Sequence, residues 1–260
     1  MATITIENEV DLEEPTCIEG LPGVGLVGKI AADHIIDTFD MTYHAAVQCS
    51  GLPPVAIYHD EDSELKPPVR LYADAERDLL VLHSEVPIAA ESREAFANCV
   101  VGWLESNDVT PLFLSGLPKQ GQGQTDDEEQ RTKIGGEHSP ELFGVATGDG
   151  TDHLDAAGIV PPKQSGAMSG PTGALLHEAL DRGLTSVGLV VESNPQFPDP
   201  NASKALLDHG IAPITGLDID TSPLTEQAEE IQTARQRLAT QMQQAKTEES
   251  SQATPLRGFQ

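Results

Sequence analysis

Short apolar runs alternate along the chain with longer stretches in which apolar residues recur every three or four positions. Such runs predict buried strands, and the longer spacing predicts helices that pack on a sheet. The predicted strands are residues 3–6, 16–19, 43–49, 54–58, 69–72, 79–83, 111–114, 142–146 and 186–191. The predicted helices are residues 27–39, 90–105, 171–182 and 201–209. This alternation is typical of βα units, so it predicts an α/β protein with a mostly parallel or mixed sheet.

Two segments depart from the alternation. Residues 119–140 are rich in Gly, Gln, Asp and Glu and hold almost no large apolar residue, which predicts an exposed insert loop. From Ser222, apolar residues return at rough helical spacing, which predicts an amphipathic C-terminal helix over residues 222–246. Residues 247–260 are polar and predict a flexible tail. We therefore expect an α/β domain over residues 1–221, followed by this helix and tail.

The charge balance is strongly acidic. The chain has 15 Lys and Arg against 42 Asp and Glu, a formal net charge of −27. Binding to nucleic acid or to an anionic membrane is therefore not expected, because basic side chains supply most of that affinity. The acidic residues are dispersed along the whole sequence, which favours adaptation to molar salt, where self-repulsion is screened. An acidic surface that docks a basic partner is the alternative.

The cysteines and the N-terminal residues indicate the expected compartment. Cys17, Cys49 and Cys99 are far apart, so neither a disulfide framework nor a cysteine-based zinc site is predicted. No basic segment followed by an apolar stretch opens the chain, and no apolar run reaches roughly 18 residues. These features predict a cytoplasmic protein that is neither secreted nor membrane-spanning.

The glycine-rich segment Leu21-Pro22-Gly23-Val24-Gly25-Leu26-Val27-Gly28-Lys29 matches two phosphate-binding patterns at once. Each pattern lacks a required part. A P-loop needs Ser or Thr after its lysine to hold Mg²⁺, and Ile30 stands there. A dinucleotide site needs an acidic residue at the end of the next strand, and Gln48 stands there. We therefore predict a turn from a strand into a helix, in which the glycines permit close packing.

Other catalytic patterns are weak. The eight histidines follow no metal-ligand spacing, neither H-E-x-x-H nor G-x-S-x-G occurs, and the many carboxylates make any single pair uninformative. No catalytic, cofactor-binding or metal-binding residue is nominated. Two loops, 169–173 and 192–200, precede predicted helices, and Asp199-Pro200 is typical of a helix start. Their place at the carboxyl ends of strands permits a ligand site.

Three motifs in order along the chain resemble the PAC2 family of proteasome assembly chaperones. They are the glycine-rich Gly20, Leu21, Pro22, Gly23, Gly25 and Gly28; the central Gly170, Thr172 and Gly173; and the later Asp199 and Pro200. The resemblance spans residues 13–216 and implies a three-layer α/β core similar to nucleoside phosphorylases. It also implies no established reaction, no cofactor, self-association as a trimer or tetramer, and binding to proteasome α-subunits.

The last three residues of the chain differ from the C-terminal motif of the same family. Members of this kind can dock a tail between α-subunits with an apolar residue, a Tyr and any final residue. Here the last three residues are Gly258, Phe259 and Gln260. Gly258 stands where the family has an apolar residue, and Phe259 stands in the Tyr position but lacks the hydroxyl. These three are the candidate partner-binding residues, with an unstructured end as the alternative. A second function stays open, a nucleoside-like ligand-binding protein or enzyme that uses the segment 23–29, Thr172 and the loop at 193–194.

Overall fold

A computed structural model of the chain describes residues 3–49, 52–60, 63–119 and 140–234. Within these residues, groups of one to three strands are separated by helices. Eight strands form one sheet: β1 (Thr3–Ile6), β2 (Thr16–Gly20), β3 (Thr42–Gln48), β4 (Val69–Asp74), β5 (Leu79–Ser84), β6 (Thr110–Pro118), β7 (Leu142–Thr147) and β8 (Ser186–Ser193).

The sheet is mixed, with a parallel centre and antiparallel ends. The strand order is β1-β3-β4-β5-β2-β6-β8-β7. The neighbours β5, β2, β6 and β8 are parallel, whereas β1, β3 and β4 on one side and β7 on the other pair antiparallel. The carboxyl ends of β2, β6 and β8 therefore meet at one edge of the sheet, where open α/β sheets place ligand sites.

Helices cover both faces of the sheet. They are α1 (Val27–Thr38), α2 (Arg93–Ser106), α3 (Gly150–Ala156), α4 (Gly170–Arg182), α5 (Pro200–Leu206), α6 (Ala212–Thr215) and α7 (222–234). A π-helical stretch, Leu207–Ile211, joins α5 to α6. The predicted α/β sandwich with helices on both sides is thus confirmed.

Two apolar cores lie on opposite faces of the sheet. Strand β5 contributes Leu79 and Val81 to the core beneath α1, α3 and α5, and Leu80 and Leu82 to the core beneath α2 and α4. Successive side chains of a strand point to opposite faces, so a strand buried on both faces must be apolar at every position. This is why the central strands are recognisable as continuous apolar runs.

One predicted strand is wrong. Residues 54–58 form no strand; only an isolated bridge joins Ile57 to Lys66. Pro53 and Pro54 cannot donate a backbone hydrogen bond to a neighbouring strand, and the side chain of Tyr58 is 79% exposed. The apolar and β-branched residues of this segment therefore lie in a surface connection between β3 and β4.

Helix α3 is absent from the sequence prediction, and the predicted helix over residues 201–209 stops short of the end of the π-helical stretch and of α6. Helix α3 buries only Gly150 and Leu154, too few positions to give a periodic pattern. Helix α7 covers residues 222–234 of the predicted C-terminal helix; residues 235–246, the insert residues 120–139 and the tail lie outside the described residues.

Candidate functional site

The glycine-rich segment forms the connection between β2 and α1, as predicted. Strand β2 ends at Gly20, a 3₁₀ turn spans Val24–Leu26, and α1 begins at Val27. A Cβ atom on Gly20 would lie 2.2 Å from Cβ of Ala32, and one on Gly28 would lie 3.3 Å from Cβ of Leu114. The absence of side chains at these positions lets α1 pack closely against the sheet.

Gly25 joins this connection to the loop after β8. Its φ of +64° is left-handed, and a Cβ there would lie 1.9 Å from Oγ of Ser193. Its carbonyl oxygen accepts a hydrogen bond from the backbone N–H of Asp199 at 2.9 Å. The hydroxyl of Ser203, on α5, donates to the carbonyl oxygen of Val27 at 3.1 Å. The first and third motifs are therefore in direct contact.

Asp199 caps α5, as the Asp-Pro pair predicts. Its Oδ1 accepts from the backbone N–H of Ala202 at 3.1 Å, and its Oδ2 accepts from that of Asn194 at 2.9 Å. Pro200 occupies the first turn of the helix and is buried. One carboxylate thus fixes both the helix start and the loop that follows β8.

A buried carboxylate joins the second motif to the first. Glu19, at the end of β2, is 1% exposed. Its Oε2 accepts from the backbone N–H of Leu114 at 2.8 Å, and its Oε1 accepts from the Thr172 hydroxyl at 3.1 Å and from the N–H of Leu21 at 3.3 Å. Burial raises the pKa of Glu19 to about 7, although all three hydrogen bonds act to lower it.

The start of α4 is shaped by its glycines. Gly170 has a φ of +77°, and a Cβ on Gly173 would lie 2.6 Å from the carbonyl oxygen of Met168. Ser169, the residue at the cap, makes no side-chain hydrogen bond to the helix. Thr172 donates instead to Glu19 on the neighbouring strand, and so ties α4 to β2.

The three motifs therefore form one cluster at the carboxyl edge of the parallel strands. We call it the motif cluster: Gly20 to Gly28, Gly170 to Gly173, and Asp199 with Pro200. Glu19 immediately precedes the first motif, and sequence reasoning gave this residue no role of its own. The available signal was a single carboxylate at the end of an otherwise apolar strand, a position where a charge is rare without specific partners.

Lys29 is the last residue of the P-loop-like pattern, but its amine contacts side chains of the protein itself. Its Nζ lies 3.0 Å from Asp33 Oδ2 and 3.3 Å from Glu85 Oε2. It also lies 3.1 Å from Nε2 of His83. The amine on which a P-loop would rely for phosphate therefore contributes to a charged network between α1 and β5.

The remaining candidate residues are placed as follows. Gly258, Phe259 and Gln260 lie outside the described residues. Within the part of the chain that the structure describes, no helix is long and apolar enough to cross a membrane. The same residues contain no group of three or more His, Cys, Asp and Glu side chains that could hold a metal ion.

The class of protein is defined by two features together. One is the mixed sheet with helices on both faces, and the other is the set of three motifs at one edge of that sheet. The model of the PAC2 family matches residues 17–239, and the chain belongs to that family. An uncharacterised protein of Methanocaldococcus jannaschii, MJ0106, is 28% identical over 234 residues, which cover 90% of this chain and 89% of that protein.

Two solved structures from Pyrococcus furiosus share the fold. PbaA, described as an archaeal homolog of proteasome-assembly chaperone, has a TM-score of 0.74 at 25% identity, covering 96% of this chain and 97% of PbaA. PbaB, described as an archaeal proteasome activator, has a TM-score of 0.71 at 21% identity, covering 92% of this chain and 98% of PbaB.

Proposed function

We propose that this protein is a non-enzymatic chaperone or adaptor that acts in assembly of the proteasome core particle. The observation that carries the proposal is membership of the PAC2 family over residues 17–239. The likeness to PbaA, which extends over nearly the whole of both chains, supports the same role. We propose further that the protein works in the cytoplasm as a trimer or tetramer and binds α-subunits.

The C-terminal residues are the second part of the proposal. A terminal aromatic can anchor a peptide in a pocket between two subunits, while the chain carboxylate pairs with a basic side chain. Phe259 supplies such an aromatic one residue before the C-terminus. Gly258 adds no apolar contact, so we expect tail docking to be weaker than binding that also uses the folded domain.

Retention of proteasome α-subunits on the immobilised protein tests this function. The protein is attached through its N-terminus, which leaves Gln260 free, and is compared with a chain that lacks residues 258–260. Phe259→Ala tests the anchor, and Leu256→Ala, a nearby apolar tail position, is its matched control.

We expect the full chain and Leu256→Ala to retain α-subunits equally, and Phe259→Ala to retain less. Equal retention by all four proteins would place binding in the folded domain and refute the role of the tail. Failure of all four to retain α-subunits would refute the proposed function. Mass photometry of the same samples measures the oligomeric state; a monomer would contradict self-association.

The nucleoside-like ligand site is not favoured by the geometry. The amine of Lys29 is held by Asp33 and Glu85, and Thr172 donates its hydroxyl to the buried Glu19. Two of the polar groups on which that alternative depends are therefore engaged within the protein.

A further inference from the structure

Strand β1 leaves one edge of the sheet open. It pairs antiparallel with β3, and among the described residues no strand lies on its outer side. The backbone N–H of Glu7 donates to the carbonyl oxygen of His44 on β3 at 2.8 Å. Because backbone groups alternate along an antiparallel pair, those of Thr5 also point to β3, whereas those of Ile4 and Ile6 point outward. The edge therefore presents N–H and C=O groups with which a further strand can pair.

This edge lacks most of the features that protect an outer strand from pairing, which are charges, prolines and bulges. The strand is short, but its sequence Thr-Ile-Thr-Ile contains neither a charged residue nor a proline, and its register with β3 is regular. At the other end of the sheet, β7 is partly covered. There the N–H of Gly144 donates to the carbonyl oxygen of Val160 at 3.0 Å, and Pro161 and Pro162 follow. The chain thus protects one edge of its sheet and leaves the other open.

The uncharged surface continues onto α2, which packs beside β1. The flank of α2 on this side carries Ala95, Cys99 and Trp103, each one helical turn from the next. Trp103 lies against His44 on β3, with 6.3 Å between the ring centroids. The opposite flank of α2 carries Glu105, which pairs with α4. A strip without charged side chains therefore runs along β1 and this flank of α2, in a chain whose net charge is −27. Repulsion between two copies is weakest where such strips meet.

The strand is complementary to a second copy of itself. Antiparallel pairing of Ile4 with Ile6 of the second copy uses all the outward backbone groups of β1. In that register a two-fold axis passes beside Thr5, which faces Thr5 of the second copy. Glu7, the first acidic residue of the chain, falls opposite Thr3 of the second copy, so no two acids face each other across the paired segment. The side chain of Ile6, 42% exposed, becomes covered on the face that α2 occupies.

We propose that β1 pairs antiparallel with β1 of a second copy across a two-fold axis beside Thr5, and so joins the two sheets into one. This inference rests on the self-association proposed above and specifies its contact. A tetramer can contain such a two-fold axis, whereas a trimer with three-fold symmetry alone does not, so the contact favours the tetramer. Molar salt strengthens the pairing, because it screens the repulsion between two acidic copies.

Sedimentation of the full chain in molar KCl, over a series of concentrations, tests the proposal. We expect the wild type to form dimers or tetramers. Thr5→Glu places two like charges opposite each other at the axis and should raise the dissociation constant about fivefold. Thr42→Glu, at an exposed threonine on β3, is the matched control and should associate as the wild type does. Ile6→Pro removes an outward N–H and should weaken association about tenfold, whereas Ile6→Val keeps that N–H and should not.

A mixture of two variants tests whether Thr5 faces its own copy. Thr5→Lys alone should weaken association as Thr5→Glu does, and an equimolar mixture of the two should associate at least as tightly as the wild type. A monomeric or trimeric wild type, wild-type association of both Thr5→Glu and Ile6→Pro, or no recovery in the mixture would overturn the proposal. Circular dichroism shows whether each variant is folded. Retention of α-subunits is measured separately, so the proposed function and this contact can fail independently.

Discussion

Substitution of Gly25 by alanine is expected to cost about 2–4 kcal/mol of unfolding free energy. The left-handed φ of +64° accounts for roughly 1–2 kcal/mol once a Cβ is present. The new Cβ would lie 1.9 Å from Ser193 Oγ, which can rotate away, but also 3.0 Å from the carbonyl oxygen of Asn194 and 3.1 Å from Ser193 Cβ. The shifts in the surrounding atoms that would relieve this crowding cost about 1–2 kcal/mol more of unfolding free energy.

Two other glycines separate these contributions. Gly170 has a φ of +77° and nothing within 4 Å of its would-be Cβ, so Gly170→Ala should show the backbone cost alone, about 1–2 kcal/mol. Gly23 has an extended φ of −139° and equally open surroundings, so Gly23→Ala should stay within about 0.5 kcal/mol of the wild type. The ordering of the three variants is the prediction.

Denaturant unfolding, followed by fluorescence of the single tryptophan Trp103, measures all three variants. A Ser193→Ala background should reduce the cost of Gly25→Ala, because the nearest clashing atom is then absent. If Gly25→Ala were as stable as Gly23→Ala, the close contact between the glycine-rich connection and the loop after β8 would be refuted.

Three further predictions concern the cap, the buried carboxylate and the surface charge. Asp199→Ala should lose about 1–2 kcal/mol of stability by thermal or denaturant unfolding, and Asp199→Asn less, because an amide can still cap α5. Native Glu19 binds its proton more tightly than the unfolded chain does, so stability should fall by about 3 kcal/mol as pH rises from 4.5 to about 7. Glu19→Gln should flatten that slope; an unchanged slope would contradict the assignment. The melting temperature should rise from dilute buffer to molar KCl, and a constant value would remove the proposed adaptation to salt.

Much of the fold could be predicted from local patterns. The central strands are buried on both faces, so their apolar runs stand out in the sequence, and Asp199-Pro200 marks the start of α5 because capping is a local interaction. The segment 54–58 has a similar apolar content, but Pro53 precedes it and Pro54 is its first residue, and these two prolines prevent regular pairing. Strand order had no local signal: nothing in β2 itself indicates that β5 and β6 are its neighbours.

The polar sites depend on contacts that composition does not encode. The pairing of Arg70 with His83 follows from the register of β4 with β5. The meeting of Glu19 with Thr172 joins residues 153 positions apart. Both pairs need the complete sheet before their side chains become neighbours, so a sequence window around either residue contains no sign of the partner.

The position of β2 in the sheet has a consequence for how the chain folds during synthesis. This strand is made early, yet its two neighbours are β5 and β6, and the carboxylate at its end is satisfied by Leu114 and Thr172. Gly25 meets Asp199 only after β8 has formed. Long-range pairing of this kind is slow. A nascent chain that stops before α5 therefore cannot complete the motif cluster, and its central strand β2 must stay protected until nearly the whole domain has left the ribosome.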